Sequence, residues 1–285
     1  MIPAFINPSA GNAEEACEAL RSAGAFDIRE VDPSQLPAAV REVIDRGATR
    51  VMVAGGDGTL GTAAGVLAGT GVEMAILPCG TLNHLARDLA LPDNLADAAR
   101  VGAGARTTTV DGATANRRLF LNTSSVGSYV TFVRARDRLE HRLGYHLASL
   151  VAGARLLLRL PLFRVTLDVE GVTRQYLTPL VFIGVGEREL KLPTLGKRIE
   201  NGRPGLHVMV VRRRSGGRTI ALGLAAAARG VHAVAKTPAL DAFLVDHCTI
   251  EPRTSTVALD GELVKAAPPL EYRHLPGCLK VVVGE

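Results

Sequence analysis

The sequence has no tryptophan and only four tyrosines and seven phenylalanines in 285 residues. So thin an aromatic supply argues against a stacking platform for single-stranded nucleic acid, which needs successive exposed rings. Cysteine is sparse and scattered: Cys17, Cys79, Cys248 and Cys278 form no CxxC pair. That spacing disfavours a zinc site and fits reduced thiols in a cytosol. No uninterrupted apolar run reaches the roughly 18 residues that span a bilayer. The chain opens directly on strand-like Ile2-Pro3-Ala4-Phe5-Ile6, with no charged-then-apolar leader in view. The expectation is a cytoplasmic protein whose membrane contact is peripheral. Long blocks of one charge are missing too. Arg212-Arg213-Arg214 is the densest basic run and reads as a solvated turn, so no nucleic-acid partner is expected.

What is present is ordinary globular material, 47% apolar and 21% charged. At this length it suits two cores rather than one. The net charge of +5 favours anionic partners such as nucleotides or anionic lipid surfaces.

The chain turns on Val51-Met52-Val53-Ala54-Gly55-Gly56-Asp57-Gly58-Thr59-Leu60. Small and apolar residues read as a buried strand, and Leu60 onwards reads as a helix. The turn between them holds three glycines, one carboxylate and one hydroxyl. Glycine lets a ligand approach the main chain closely, Thr59 is placed to cap the helix, and exposed amides at a helix start attract phosphate. Asp57 is unexpected beside phosphate and reads as a magnesium ligand or a base. The plainer alternative is a tight turn with an Asx-type hydrogen bond.

Around that turn, strands and helices alternate: 2–6, a helix to about Ser22, Ile28–Val31, Leu36–Arg46, the Val51 strand and its helix, Glu73–Leu77, and a helix from Leu82 to about Ala90. Units of this kind predict a parallel sheet with helices on both faces. Ligands of such sheets bind beyond the carboxyl ends of the strands. Three turns lie on that edge: Asn7-Pro8-Ser9-Ala10-Gly11, Gly55–Thr59 and Pro78-Cys79-Gly80-Thr81.

From about Arg106 the pattern changes to period-two segments, among them Thr107–Asp111, Leu119–Asn122, Phe163–Glu170, Thr178–Val185, Gly205–Val211 and Thr256–Leu259. This predicts a largely antiparallel β domain. Helical spacing interrupts it at Leu143–Leu160 and Thr219–Ala235, where core packing and the flank of an apolar substrate cleft are both open readings. Near the C-terminus, Val257-Ala258-Leu259 lifts Asp260 and Glu262 into a turn around Gly261. Phosphoryl transfer asks for such carboxylates, to receive the acceptor's proton, alongside magnesium to neutralise the phosphates. Asp-Gly-Glu is also a common turn tripeptide. Lys191 and Arg188, after a strand, could meet a phosphate or a lipid head group, with a solvated loop the preferred reading, and the histidines show no metal spacing.

Asn7–Gly11, Gly55–Thr59, Pro78-Cys79-Gly80-Thr81-Leu82-Asn83 with Ala86-Arg87, and Asp260-Gly261-Glu262 together resemble the motifs of the diacylglycerol kinase catalytic-domain family, which includes bacterial lipid kinases and sphingosine kinases. The resemblance runs essentially end to end, including Leu121-Asn122 with Gly127, Gly144-Tyr145 and Gly230-Val231-His232. It implies a three-layer α/β nucleotide-binding domain akin to NAD kinase and phosphofructokinase, at 1–115 with a returning tail near 279–285, and a β-sandwich lipid-substrate domain at 116–278. It also implies ATP as co-substrate, held by Asn7, Pro8, Ser9, Ala10, Gly11, Gly55, Gly56, Asp57, Gly58, Thr59, Leu60, Gly61 and Thr62, with Thr81 at the phosphates. Glu262 matches the usual proton acceptor and Asp260 its companion. Asp57 matches a carboxylate credited with base or catalytic Mg²⁺ duties. Which of the three takes the proton stays open.

Three positions depart from the family pattern. Gly61-Thr62 replaces a frequent Asn-Glu, Val31-Asp32 replaces a nucleotide-touching Thr, and Arg203-Pro204-Gly205-Leu206-His207 lacks the carboxylates of a structural magnesium site. The expected activity is Mg²⁺-dependent transfer of the ATP γ-phosphate to a lipid hydroxyl at a membrane surface, with oligomeric state open and a homodimer among the options. The alternatives are an NAD-kinase-like phosphotransferase and a nucleotide-binding regulator without turnover.

Overall fold

The structure is a computed structural model that describes residues 1–127, 130, 162–189, 197–199, 202–211, 240–252 and 255–284. The chain divides into two compact units, Met1–Gly112 with Leu275–Glu285, and Ala113–His274. The predicted helices at Leu143–Leu160 and Thr219–Ala235, the Arg212–Arg214 run, Lys191, Gly144-Tyr145 and Gly230-Val231-His232 lie outside the described residues.

The first unit runs β1 (Ile2–Ile6), α1 (Ala13–Ala23), β2 (Phe26–Glu30), α2 (Leu36–Asp45), β3 (Arg50–Gly55), α3 (Asp57–Leu67), β4 (Glu73–Pro78), α4 (His84–Asp88) and α5 (Leu95–Ala103). The parallel strands stand in the order β2-β1-β3-β4. Val51, Met52, Val53 and Ala54 are all fully buried, the continuous apolar run of a parallel strand covered on both faces. Helix α1 buries Ala16, Cys17 and Leu20 and ends at Gly24 in the left-handed region, φ 67°. Helix α5 was not predicted. Asn94 caps it, its Oδ1 accepting the Asp97 N–H at 3.0 Å, and Gly102 fits against the Met52 side chain.

The remaining strands are β5 (Thr107–Ala115), β6 (Arg118–Phe120), β7 (Thr123–Gly127), β8 (Phe163–Val169), β9 (Val172–Thr178), β10 (Leu180–Val185), β11 (Arg188–Glu189), β12 (Lys197–Arg198), β13 (Leu206–Val211), β14 (Leu240–Val245), β15 (His247–Pro252), β16 (Thr256–Leu259), β17 (Glu262–Lys265) and β18 (Leu270–Val282). In the second unit one antiparallel sheet has the order β14-β13-β10-β7-β16-β17, and a second layer places β15 between β8 and the start of β18. Val126, Val181, Ile183, Val208 and Val257 from one layer share a core with Val165, Leu167, Ile250, Leu270 and Tyr272 from the other. Tyr272 meets Phe120 edge-on with centroids 6.1 Å apart, and its buried hydroxyl pairs with Ser124 Oγ at 2.9 Å. Strand β18 then leaves this unit, and Lys280 and Val281 pair in parallel with Glu73 and Met74 of β4.

Candidate active site

The predicted site residues fall in two motif clusters, one in each unit. In the first unit the register sets Ile6 beside Ala54, and Gly55 beside Pro78. The three predicted turns therefore leave the same sheet edge. Asn7 ties two of them together: its Nδ2 donates to Thr59 Oγ1 at 3.2 Å, and its Oδ1 accepts the Ser9 N–H at 2.9 Å. Thr59 is thus not the helix cap that was predicted. Helix α3 begins at Asp57 with Gly56 as N-cap and no side-chain capping bond. The first-turn amides are left to whatever occupies the helix start.

The glycines here are set by contact. A methyl group on Gly55 would stand 2.6 Å from Thr59 Cβ, and one on Gly80 would stand 2.6 Å from the Gly56 Cα and 2.8 Å from Asn83 Oδ1. Asn83, buried and at φ 47°, is the clasp of the third turn. Its Oδ1 accepts the Gly80 N–H at 2.9 Å, while its Nδ2 donates to Gly80 O at 2.8 Å. Asn83 belongs to the third motif by sequence, but no local signal there marks this clasp.

Other predicted positions divide into surface and scaffold. Pro8, Ser9, Gly11 and Thr81 are exposed, and Ala10, Asp57, Gly58, Gly61 and Thr62 are part-exposed. Leu60 differs from the expectation. Its side chain is 1% exposed and its N–H is spent on Gly56 O at 3.0 Å, so it supports the turn from beneath. The Thr62 hydroxyl donates to Gly58 O at 2.8 Å, within its own helix. Within the third turn, burial pushes the Cys79 thiol up to about 11, with the charge of Glu15 adding to the rise.

In the second unit, Asp260-Gly261 is the two-residue turn of the β16–β17 hairpin. Both residues lie at positive φ, 47° and 90°, the combination for which Asp-Gly is favoured in hairpins. The Asp260 carboxylate is turned inward. Its Oδ1 accepts the N–H groups of Asn122 at 2.9 Å and Thr123 at 2.8 Å, and its Oδ2 accepts that of Leu121 at 2.8 Å. Burial pushes the Asp260 carboxyl above its usual range, opposed by the three amides and by the charge of Arg188. Glu262, across the hairpin from Leu259, is exposed. The two carboxylates therefore differ in kind: one is committed to backbone, the other faces solvent.

Nearby, Arg188 also departs from expectation, being 1% exposed where a solvated loop was predicted. Glu187 pairs with Arg203, whose Nη2 lies 3.2 Å from Oε1. His207 is half-buried; burial and the charges of Arg203 and Arg188 lower its pKa against the pull of Glu187. No group of three or more His, Cys, Asp or Glu among the described residues is arranged to hold a metal ion, and no described helix is long and apolar enough to cross a membrane.

Residues 2–115 match the family model described as the diacylglycerol kinase catalytic domain. A protein of Cronobacter sakazakii described as a YegS-like lipid kinase is 33% identical over 111 residues, 37% of each chain. A diacylglycerol kinase of Mycobacterium tuberculosis is 47% identical over 49 residues, 17% of this chain and 16% of its own. These alignments span little more than a third of those relatives at most. A crystal structure described as a diacylglycerol kinase from Bacillus anthracis str. Sterne superposes with a TM-score of 0.73 at 22% identity, over 99% of this chain and 96% of its own. A second structure from that organism, provisionally assigned to the same kinases, gives 0.77 at 22% identity, over 99% and 97%. At that identity the likeness speaks for the fold. Residues 2–115 thus resemble the diacylglycerol kinase catalytic domain, and the fold along the chain is that of the two superposed structures.

Proposed function

We propose that this protein is a lipid kinase that transfers the γ-phosphate of ATP to a lipid hydroxyl at a membrane surface, working on the cytoplasmic side through peripheral contact. The observation that carries the reading is the Gly55–Thr59 turn. It opens an eleven-residue helix without a side-chain cap, at the sheet edge where the Asn7 and Gly80 turns meet it. Amides and helix dipole there suit a polyphosphate, and the fit is tight enough that a single methyl on Gly80 would collide with backbone.

ATP would lie against Asn7–Gly11 and Gly55–Thr62, with Thr81 toward the phosphates. Asp57, part-exposed in the first turn of α3, is the carboxylate proposed to hold Mg²⁺. When bound, the ion supplies charge neutralisation for the phosphates. Among the carboxylates, Glu262 is the proposed proton acceptor. It is exposed, whereas Asp260 already accepts three backbone hydrogen bonds. Its task is to hold the lipid hydroxyl's proton as phosphate transfers.

The test is transfer from γ-labelled ATP with Mg²⁺ to micellar diacylglycerol, monoacylglycerol, sphingosine, ceramide and phosphatidylglycerol, with NAD alongside. A labelled lipid is the expected result and names the acceptor. Labelled NAD, or ATP binding with no labelled product across the panel, contradicts the reading.

A further inference from the structure

Arg188 is the largest side chain among the fully buried described residues, and it carries a permanent charge. A guanidinium taken from water is costly unless its donors and its charge are matched, so its surroundings say what it is for. Gly184 makes the room: a methyl group there would stand 2.7 Å from Arg188 Cδ. Arg188 Nε donates to Val185 O at 2.9 Å, and its Nη1 donates to Asn122 Oδ1. The Arg188 N–H donates to His207 Nδ1 at 3.2 Å. Asn122 is gripped a second time, its carbonyl accepting the Val185 N–H at 3.0 Å.

Asn122 is the middle residue of the three whose amides hold the Asp260 carboxylate. That carboxylate feels the Arg188 charge. Asp260 in turn opens the two-residue turn, and its own N–H donates to Thr123 O at 2.8 Å. One continuous set of contacts thus runs from the buried guanidinium through Asn122 to Asp260, the residue that precedes Glu262 by two. Planar donors in a fixed fork hold such a geometry in a way that a flexible ammonium does not.

We propose that Arg188 is a positioning residue for Glu262, acting through Asn122 and the amide clamp on Asp260. The inference rests on the kinase reading for its consequence, and on the contacts alone for the link itself. Two measurements separate these. Amide hydrogen exchange on Arg188→Lys and Asn122→Ala reads the link without substrate. Exchange at Leu121–Thr123 and Asp260–Glu262 is expected to rise while the rest of the second unit stays protected. Steady-state transfer on the same variants reads the consequence. kcat is expected to fall roughly 10- to 100-fold, the cost of misplacing a catalytic group by a fraction of an ångström to an ångström, with ATP affinity unchanged. In an Asp260→Asn background the further loss from Arg188→Lys is expected to be small, because the two act in series.

Unchanged exchange at those segments overturns the link. Exchange raised uniformly over the second unit, or raised at the clamp with kcat intact, leaves Arg188 a structural residue and overturns the proposal. A wild-type protein with no lipid transfer defeats the kinase reading, while the exchange result still decides the link.

Discussion

Gly56 and Gly80 touch backbone to backbone: a methyl group built on Gly80 would lie 2.6 Å from the Gly56 Cα. Two motifs more than twenty residues apart are thereby one surface, and neither glycine is there for flexibility. Gly80→Ala should cost about 1–3 kcal/mol, as overpacking against a rigid neighbour does. By moving the Gly56 amide it should also weaken ATP binding roughly tenfold. Denaturant unfolding and titration calorimetry of the same variant check both.

Asn7 joins the first turn to the second through Thr59. Asn7→Ala removes both the donor to Thr59 and the acceptor for the Ser9 N–H. Each such bond is worth about 1 kcal/mol. Nucleotide affinity should fall by roughly five- to tenfold while kcat at saturating ATP stays near wild type. A kcat loss without an affinity loss would move Asn7 out of the nucleotide site.

Asp260 and Glu262 should separate stability from chemistry. Asp260→Ala leaves three amides without their acceptor and should destabilise the second unit by roughly 3 kcal/mol or more. Glu262→Gln, on an exposed side chain, should stay within about 0.5 kcal/mol of wild type. Chemical denaturation of the two variants side by side is the measurement, and equal destabilisation would contradict the assignment.

Acid stability of the first unit should run through Glu73. Its carboxylate meets Lys280 Nζ at 2.8 Å and Arg50 Nη2 at 2.6 Å. Arg50 also reaches the carbonyls of Gly102 and Gly104 at the end of α5. The hydrogen bond from Lys280, then the Arg50 contacts, hold the Glu73 pKa below its usual 4.5 against the effect of burial. A depressed carboxylate stabilises the fold at neutral pH, and that contribution is lost as pH falls below the usual value and through the folded one. Glu73→Gln should therefore lower stability at pH 7 and flatten its decline at acid pH.

Much of this was legible in sequence because local chemistry and fold agree. Apolar runs such as Val51–Ala54 declare a parallel strand, and Asp260-Gly261 declares a turn. What was missed depends on contacts between distant residues. Thr59 looked like a cap because it sits at a helix start, yet its hydroxyl answers Asn7. Helix α5 escaped notice because its stripe is small residues, although Asn94 with Asp97 was a readable start signal. Arg188 looked solvated because nothing in its neighbours announces that Gly184 clears a buried slot for it. Glu262 was read as the matching proton acceptor and Asp260 as its companion, with the base left open; that Asp260 is engaged by the Leu121–Thr123 amides could not be read from sequence.

On the proposed reading, Glu262 takes the acceptor's proton in phosphate transfer from ATP to a lipid. Single-turnover transfer by Glu262→Gln, with ATP affinity measured in parallel, tests it most directly. The expected result is a rate lowered by roughly 10²- to 10⁴-fold with ATP binding intact. A wild-type rate in that variant would contradict it.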